Sequence, residues 1–145
     1  MSDNTVQRVA DVLEIQSLKA LYFEILDSAR LDRAKADSRL KEILTEDVRL
    51  DHGAAGQIAG RDRVVHHLME ACSKPEWLMH TLHTPRVEVD GDTAVGYWTT
   101  TGQARFHGSK ALATSANRSR ADFRRTPQGW RITLLCNVFE DMREV

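Results

Sequence analysis

Two different spacings of apolar residues divide the chain into a helical first half and an extended second half. Apolar side chains recur every three or four positions over residues 5–30, which places them on one face of a predicted helix. The same spacing predicts shorter helices over 35–44 and 61–72, with a short strand at EDVRLD between them. From Trp77 onward the period is two, which predicts four longer strands at 78–90, 93–106, 113–125 and 129–139.

Turn signals between these strands indicate how they are connected. Asp90-Gly91 separates the first two long strands and is a preferred pair for a two-residue hairpin turn with positive φ at both positions. Pro127-Gln128-Gly129 separates the last two. Helices followed by a strand meander predict an α+β fold, with the N-terminal helices packed on the concave face of a curved antiparallel sheet. A pocket is expected between the two layers.

Size, charge and cysteine content exclude several classes of protein. A chain of 145 residues is expected to form a single domain over 1–145. The net charge of −1 gives no basic field for nucleic acid, and no apolar run approaches the ~20 residues of a membrane span. Cys72 and Cys136 are too few for a disulfide framework or a cysteine zinc site, and the histidine spacing suits no metal. The N-terminus lacks a secretory pattern, so we expect a cytoplasmic protein.

The strand before Asp90-Gly91 carries the candidate chemistry. Strict alternation places His83 on the same face as Val87 and Val89, which is the apolar and therefore inward face. A buried imidazole needs a hydrogen-bond partner. Asp27, late in the first helix and on its apolar side, is the expected partner.

Such a pair supports acid–base catalysis. A carboxylate that accepts the Nδ1 proton of the imidazole leaves Nε2 as a general base and stabilises the imidazolium. The expected reaction is removal of a proton beside an activating group, followed by loss of a leaving group, without a cofactor. The same pair could instead be structural and tie the helix to the sheet. On the third long strand, Ser115 and Asn117 share a face and are candidates to orient a substrate oxygen.

Several segments together resemble the NTF2-like superfamily, and within it the SnoaL-like group. They are, in order, EIQSLKALYFEILDSARLD, ILTEDVRLD, IAGRDRVVHHL, HTPRVEVDGDTAVGYW and DFRRTPQGWRITLL. A narrower likeness is to scytalone dehydratases and hexachlorocyclohexane dehydrochlorinases. It implies a catalytic aspartate and histidine at Asp27 and His83, with Tyr22 and His107 as candidate hydrogen-bond donors. It also implies a small hydrophobic cyclic or polyketide-like ligand and a homo-oligomer, either dimer or trimer.

Three functional hypotheses remain open at this point. The first is a cofactor-independent lyase or isomerase that uses Asp27 and His83. The second is a non-catalytic ligand-binding or oligomerisation module on the same fold. The third makes Asp27 the base and requires an uncharged donor, Tyr22 or Tyr97, at the substrate oxygen. Tyr97 and Trp98 point to opposite faces, so only one of them can line the pocket.

Overall fold

Three helices and a six-stranded sheet form the part of the chain that the structure describes. This computed structural model describes residues 3–144, with side chains up to residue 137. The helices are α1 (Asp3–Ser28), α2 (Arg33–Ile43) and α3 (Arg61–Cys72). The strands are β1 (Leu44–Asp51), β2 (Gln57–Ala59), β3 (Trp77–Asp90), β4 (Thr93–Arg105), β5 (Ala113–Thr126) and β6 (Gly129–Glu144).

The strands lie in the order β2-β1-β6-β5-β4-β3, and the sheet is mixed. Strands β3 to β6 form the predicted antiparallel meander. Strand β1 instead pairs parallel to β6, with Leu44 opposite Ile132 and Leu50 opposite Leu135. The α+β class and the helix-on-sheet arrangement are confirmed, and the purely antiparallel sheet is corrected to a mixed one.

Helix α1 packs its apolar stripe against the inner face of the sheet. Ile15 and Ile25 of this helix are fully buried, as are Ala121 and Ile132 of the sheet. Burial of such side chains supplies most of the stabilisation of the fold, about 1.5–3 kcal/mol for each large aliphatic group.

A glycine shapes the middle of the inner face. A Cβ on Gly96 would lie 2.3 Å from the ring of Trp98, so only glycine allows this ring to fold back over its own strand. Trp98 is buried there, edge-on to Phe123 at a centroid separation of 6.2 Å. Of the two neighbouring aromatic residues of β4, Trp98 is therefore the inward one.

A buried carboxylate fixes the N-terminal half of α1. Asp11 accepts hydrogen bonds from both terminal nitrogens of Arg125, at 2.9 and 2.8 Å, and from Nε1 of Trp130 at 3.1 Å. Because these donors favour the charged form, they lower the pKa of Asp11 to about 2. The cluster attaches the helix to the β5–β6 hairpin.

The first hairpin turn lies one residue later than the sequence suggests. Asp90 pairs with Thr93, so the two loop residues are Gly91 and Asp92. Gly91 has φ +59°, whereas the φ of Asp92 is not positive. The glycine therefore occupies the first central position of the turn, as in type II′ turns.

The helices give no indication of a membrane span. α1 has 26 residues but alternates apolar and charged side chains. Within residues 3–144, no helix combines the length and the apolar content that crossing a bilayer requires.

Candidate active site

The carboxylate of Asp27 binds His80, and this pair joins the end of α1 to the start of β3. Asp27 Oδ1 accepts a hydrogen bond from His80 Nδ1 at 2.6 Å. Its Oδ2 accepts one from the backbone N–H of the same residue at 3.0 Å. Since an ionised carboxylate only accepts hydrogen bonds, the Nδ1 of the neutral ring carries the proton and Nε2 is the basic nitrogen. Both side chains are about four-fifths buried, with 19% of His80 and 23% of Asp27 exposed.

The predicted pairing of Asp27 with His83 is wrong. His83 is exposed, and its Nε2 lies 3.4 Å from Oγ1 of Thr101 on the outer face. The reason is a β-bulge: His83 pairs with Thr99 but Arg86 pairs with Tyr97, so β3 holds one more residue than β4 at this point. An extra residue reverses the alternation of faces. Counting back from the valines to His83 therefore reaches the wrong side of the sheet.

The sequence did contain a signal for this bulge. Thr84 has φ +48°, and it is followed by Pro85, which has no backbone donor and rarely lies inside a regular strand. Counting instead from Leu78 and Leu82, on the near side of the proline, places His80 between two apolar neighbours. These three are the residues of β3 that face α1 before the bulge.

A depression between α1 and β3 gives access to the pair. The His80 ring stacks on Phe23, with centroids 4.5 Å apart and planes at 24°. The depression has a volume of about 400 Å³. It is lined by Ala20, Phe23, Glu24, Asp27, His80 and Leu82.

The imidazole of His80 lies over Gly102 on the inner face of the sheet. His80, Gly102 and Ser115 are neighbours across β3, β4 and β5. A methyl group on Gly102 would lie 2.8 Å from Oγ of Ser115 and 3.6 Å from Nε2 of His80. Because Gly102 has no Cβ, the imidazole of His80 and the hydroxyl of Ser115 can both approach this position on the inner face.

Further polar groups lie on the same inner face, starting two residues along β4 and β5 from Gly102 and Ser115. Asn117 is 93% buried, and its Oδ1 accepts no hydrogen bond from any residue that the structure describes. Thr100 lies opposite it on β4, and its hydroxyl oxygen is 3.0 Å from that of Ser119, two residues along β5 from Asn117. Ser115 and Asn117 thus share the inner face with His80.

The other predicted site residues lie apart from this group. Tyr22 is buried with its ring edge-on to Phe23, and burial raises the pKa of its hydroxyl. Tyr97 is on the outer face, where the guanidinium of Arg86 lies 4.3 Å from its ring centre. His107 is exposed in the β4–β5 loop. Only Tyr22 of these three faces the interior.

Two inward residues were missed by the sequence reasoning. Alternation counted back from Val87 and Val89 puts His80 on the polar, outward face, and nothing in the sequence analysis singled out Lys19. Lys19 lies four positions after Ile15 and four before Phe23, a spacing that places it on the buried face of α1. No cluster of three or more metal-binding side chains exists within the described residues.

Comparison with known proteins gives both sequence and structural relatives. A model of the SnoaL-like domain matches residues 7–135. An uncharacterized protein of Mycobacterium tuberculosis is 32% identical over 130 residues, covering 88% of this chain and 84% of that protein.

Two solved structures illustrate the similarity of fold. A protein of Novosphingobium aromaticivorans provisionally assigned as a scytalone dehydratase has a TM-score of 0.83 at 12% identity, covering 100% of this chain and 92% of that one. The hexachlorocyclohexane dehydrochlorinase LinA-type3 of Novosphingobium barchaimii has a TM-score of 0.80 at 16% identity, covering 97% and 94%. At these identities the likeness concerns the fold, which is the predicted NTF2-like one. With the family model matched over most of its length, the chain belongs to the SnoaL-like domain family.

Proposed function

We propose that this protein is a cofactor-independent lyase in which Asp27 and His80 form the catalytic pair. The observation that carries the proposal is the 2.6 Å hydrogen bond from Nδ1 to the carboxylate, which leaves Nε2 as the basic nitrogen of a ring that lines the depression between α1 and β3. The similarity in fold to a dehydrochlorinase and to a provisionally assigned dehydratase supports the same class of reaction.

The reaction proposed is an elimination. Nε2 of His80 takes the proton from a carbon next to a carbonyl group, and the C–H electron pair forms the new double bond. The bond to a hydroxyl group on the adjacent carbon breaks, and that hydroxyl leaves as water with the proton from the imidazolium. Asp27 stabilises the imidazolium between these steps. Ser115 and Asn117 are proposed to orient the substrate oxygen.

A direct test uses the two histidines of β3 as a matched pair. A panel of cyclic β-hydroxy ketones is screened for release of the conjugated enone, followed by its ultraviolet absorbance. His80→Gln and Asp27→Asn should each lower turnover at least ~100-fold, the usual contribution of a positioned base. His83→Gln, three residues away and exposed, should leave turnover unchanged. Equal activity of the His80 variant and the wild type would remove the pair from the mechanism.

A purely structural pair is the second candidate, and one observation favours it. Asp27 uses both oxygens on His80, one on the ring and one on the backbone, which also attaches α1 to β3. In that case no panel compound is turned over, and Asp27→Asn lowers the free energy of unfolding without any effect on chemistry.

We also propose that copies of this chain associate into a dimer or trimer. Val6, Val9 and Leu13 form an exposed apolar stripe on α1, each more than half exposed. Light scattering of the wild type and of a Val9→Glu variant would detect the assembly and its dependence on this stripe.

A further inference from the structure

A buried lysine lies in the middle of the interior. Lys19 is 1% exposed, although it carries an amine that prefers water. It projects from α1 between the helix and the inner face of the sheet, next to Trp98 of β4. A cationic side chain at such a position is rare unless it is paired or functional.

Aromatic rings surround the amine. Its Nζ lies 4.6 Å from the ring centre of Tyr22, 5.0 Å from that of Phe23 and 5.7 Å from that of Trp98. Among the side chains that the structure describes, none forms an ion pair with it. Burial therefore lowers the pKa of Lys19 to about 7, and the aromatic faces stabilise the ammonium form only in part.

A second interior group lacks a partner as well. Oδ1 of Asn117 is buried on the inner face of β5 and receives no hydrogen bond within the described residues. It lies across from Thr100, two residues along β4 from Trp98. A buried amine without an ion pair and a buried acceptor without a donor each cost stability. A ligand oxygen could accept from the amine of Lys19, and a ligand hydroxyl or N–H group could donate to Oδ1 of Asn117.

We propose that Lys19 binds an anionic oxygen of the substrate, and that the substrate is a flat apolar ring bearing this oxygen. The ring would pack against Tyr22, Phe23 and Trp98, because aromatic faces bind planar apolar groups. The ammonium group would hold a carboxylate or phenolate oxygen, or the enolate oxygen on which charge develops during proton removal. This substrate class rests on the proposed elimination in one respect: the substrate is taken to enter by the depression at Asp27 and His80, which is also lined by Phe23.

The test is binding of benzoate as a function of pH, measured by calorimetry between pH 7 and pH 9. If only the ammonium form binds, the dissociation constant should rise about tenfold for each pH unit above the pKa of Lys19. Benzamide, with the same ring and no charge, should bind weakly and independently of pH. Lys19→Met should abolish benzoate binding.

The same experiment tests whether another titratable group in this interior causes the pH dependence of benzoate binding. They are Tyr22 and Asp27 on α1, Cys72 on α3 and His80 on β3. Burial raises the pKa of Cys72 to about 12 and raises that of Tyr22, so neither ionises in this range. Repeating the series in His80→Gln removes the imidazole and should leave the pH dependence intact.

The outcomes separate this inference from the proposed reaction. Benzoate affinity that is equal at pH 7 and pH 9, that persists in Lys19→Met, or that is absent altogether overturns the role of Lys19. The wild-type pH series requires no variant, so the result does not depend on how a substitution folds. Loss of turnover in His80→Gln with unchanged benzoate binding would support both proposals separately.

Discussion

Replacing Lys19 by methionine should make the protein more stable, because it removes a buried amine and keeps an unbranched side chain of similar length. The pKa of Lys19 falls from 10.5 to about 7 on folding. At about 1.36 kcal/mol per pH unit, this corresponds to a cost of about 5 kcal/mol at pH 7. Lys19→Met should raise the free energy of unfolding by an amount of this order.

The pH dependence of the free energy of unfolding shows whether the gain in stability comes from removing the buried amine. Between pH 7 and 10.5 the unfolded chain keeps the proton that the native amine has lost, so the unfolded state binds more protons. Stability of the wild type therefore rises with pH in this range, and below pH 7 the full cost remains. At pH 8.5 the cost of Lys19 should have fallen to about 3 kcal/mol, and the advantage of the methionine variant should shrink by about 2 kcal/mol.

Urea unfolding followed by far-ultraviolet circular dichroism at pH 7 and 8.5 measures both quantities. The higher pH is kept below 9. Above that value the thiol of Cys72 ionises in the unfolded state, which lowers stability and opposes the rise caused by Lys19. Lys35→Met on the exposed face of α2 is the matched control and should change stability little at either pH. A methionine variant that is less stable than the wild type, or one whose advantage is the same at both values, would refute the reasoning.

Three further predictions concern other parts of the molecule. Because Arg125 lowers the pKa of Asp11 from 3.8 to about 2, stability should fall by about 2.5 kcal/mol as pH drops from about 5 to about 1, and Asp11→Asn should flatten this fall in acid-unfolding curves. Gly102→Ala places a methyl group 2.8 Å from Oγ of Ser115 and 3.6 Å from Nε2 of His80, so these side chains must shift; turnover and melting temperature should both fall, and unchanged turnover would contradict this. Thr84→Gly relieves a positive φ at a β-branched residue and should stabilise by about 1 kcal/mol in chemical denaturation; a loss of stability would contradict strain at this position.

Much of the fold could be predicted because the spacing of apolar residues in most helices and strands matches the period of that element. The predicted helix over 61–72 coincides with α3, and the predicted strands begin and end within a few residues of β3, β4 and β5. The parallel pairing of β1 with β6 could not be predicted, since it joins residues almost ninety positions apart and leaves no periodic signal. Non-local pairing of this kind is set by packing rather than by propensity.

The candidate site could be predicted only in part, because one extra residue in β3 decides which face of the sheet the histidines of that strand occupy. Asp27 was placed correctly on the inner side of α1, where helical spacing is uninterrupted. His80 and His83 were exchanged, because the bulge at Thr84 and Pro85 reverses the alternation that had been read from the far side. Lys19 was overlooked because a lysine within an apolar stripe is usually ascribed to a side chain that reaches solvent.

The place of β6 in the sheet has a consequence for how the chain acquires its structure. This strand is the last to be synthesised of those described, yet it lies between β1 and β5 and joins the two halves of the sheet. On a ribosome, β1 and β2 must therefore wait for a partner until residues beyond 129 have emerged. Their early edge is open to wrong pairing during that interval, and we expect the nascent protein to depend on chaperones more than a simple meander would.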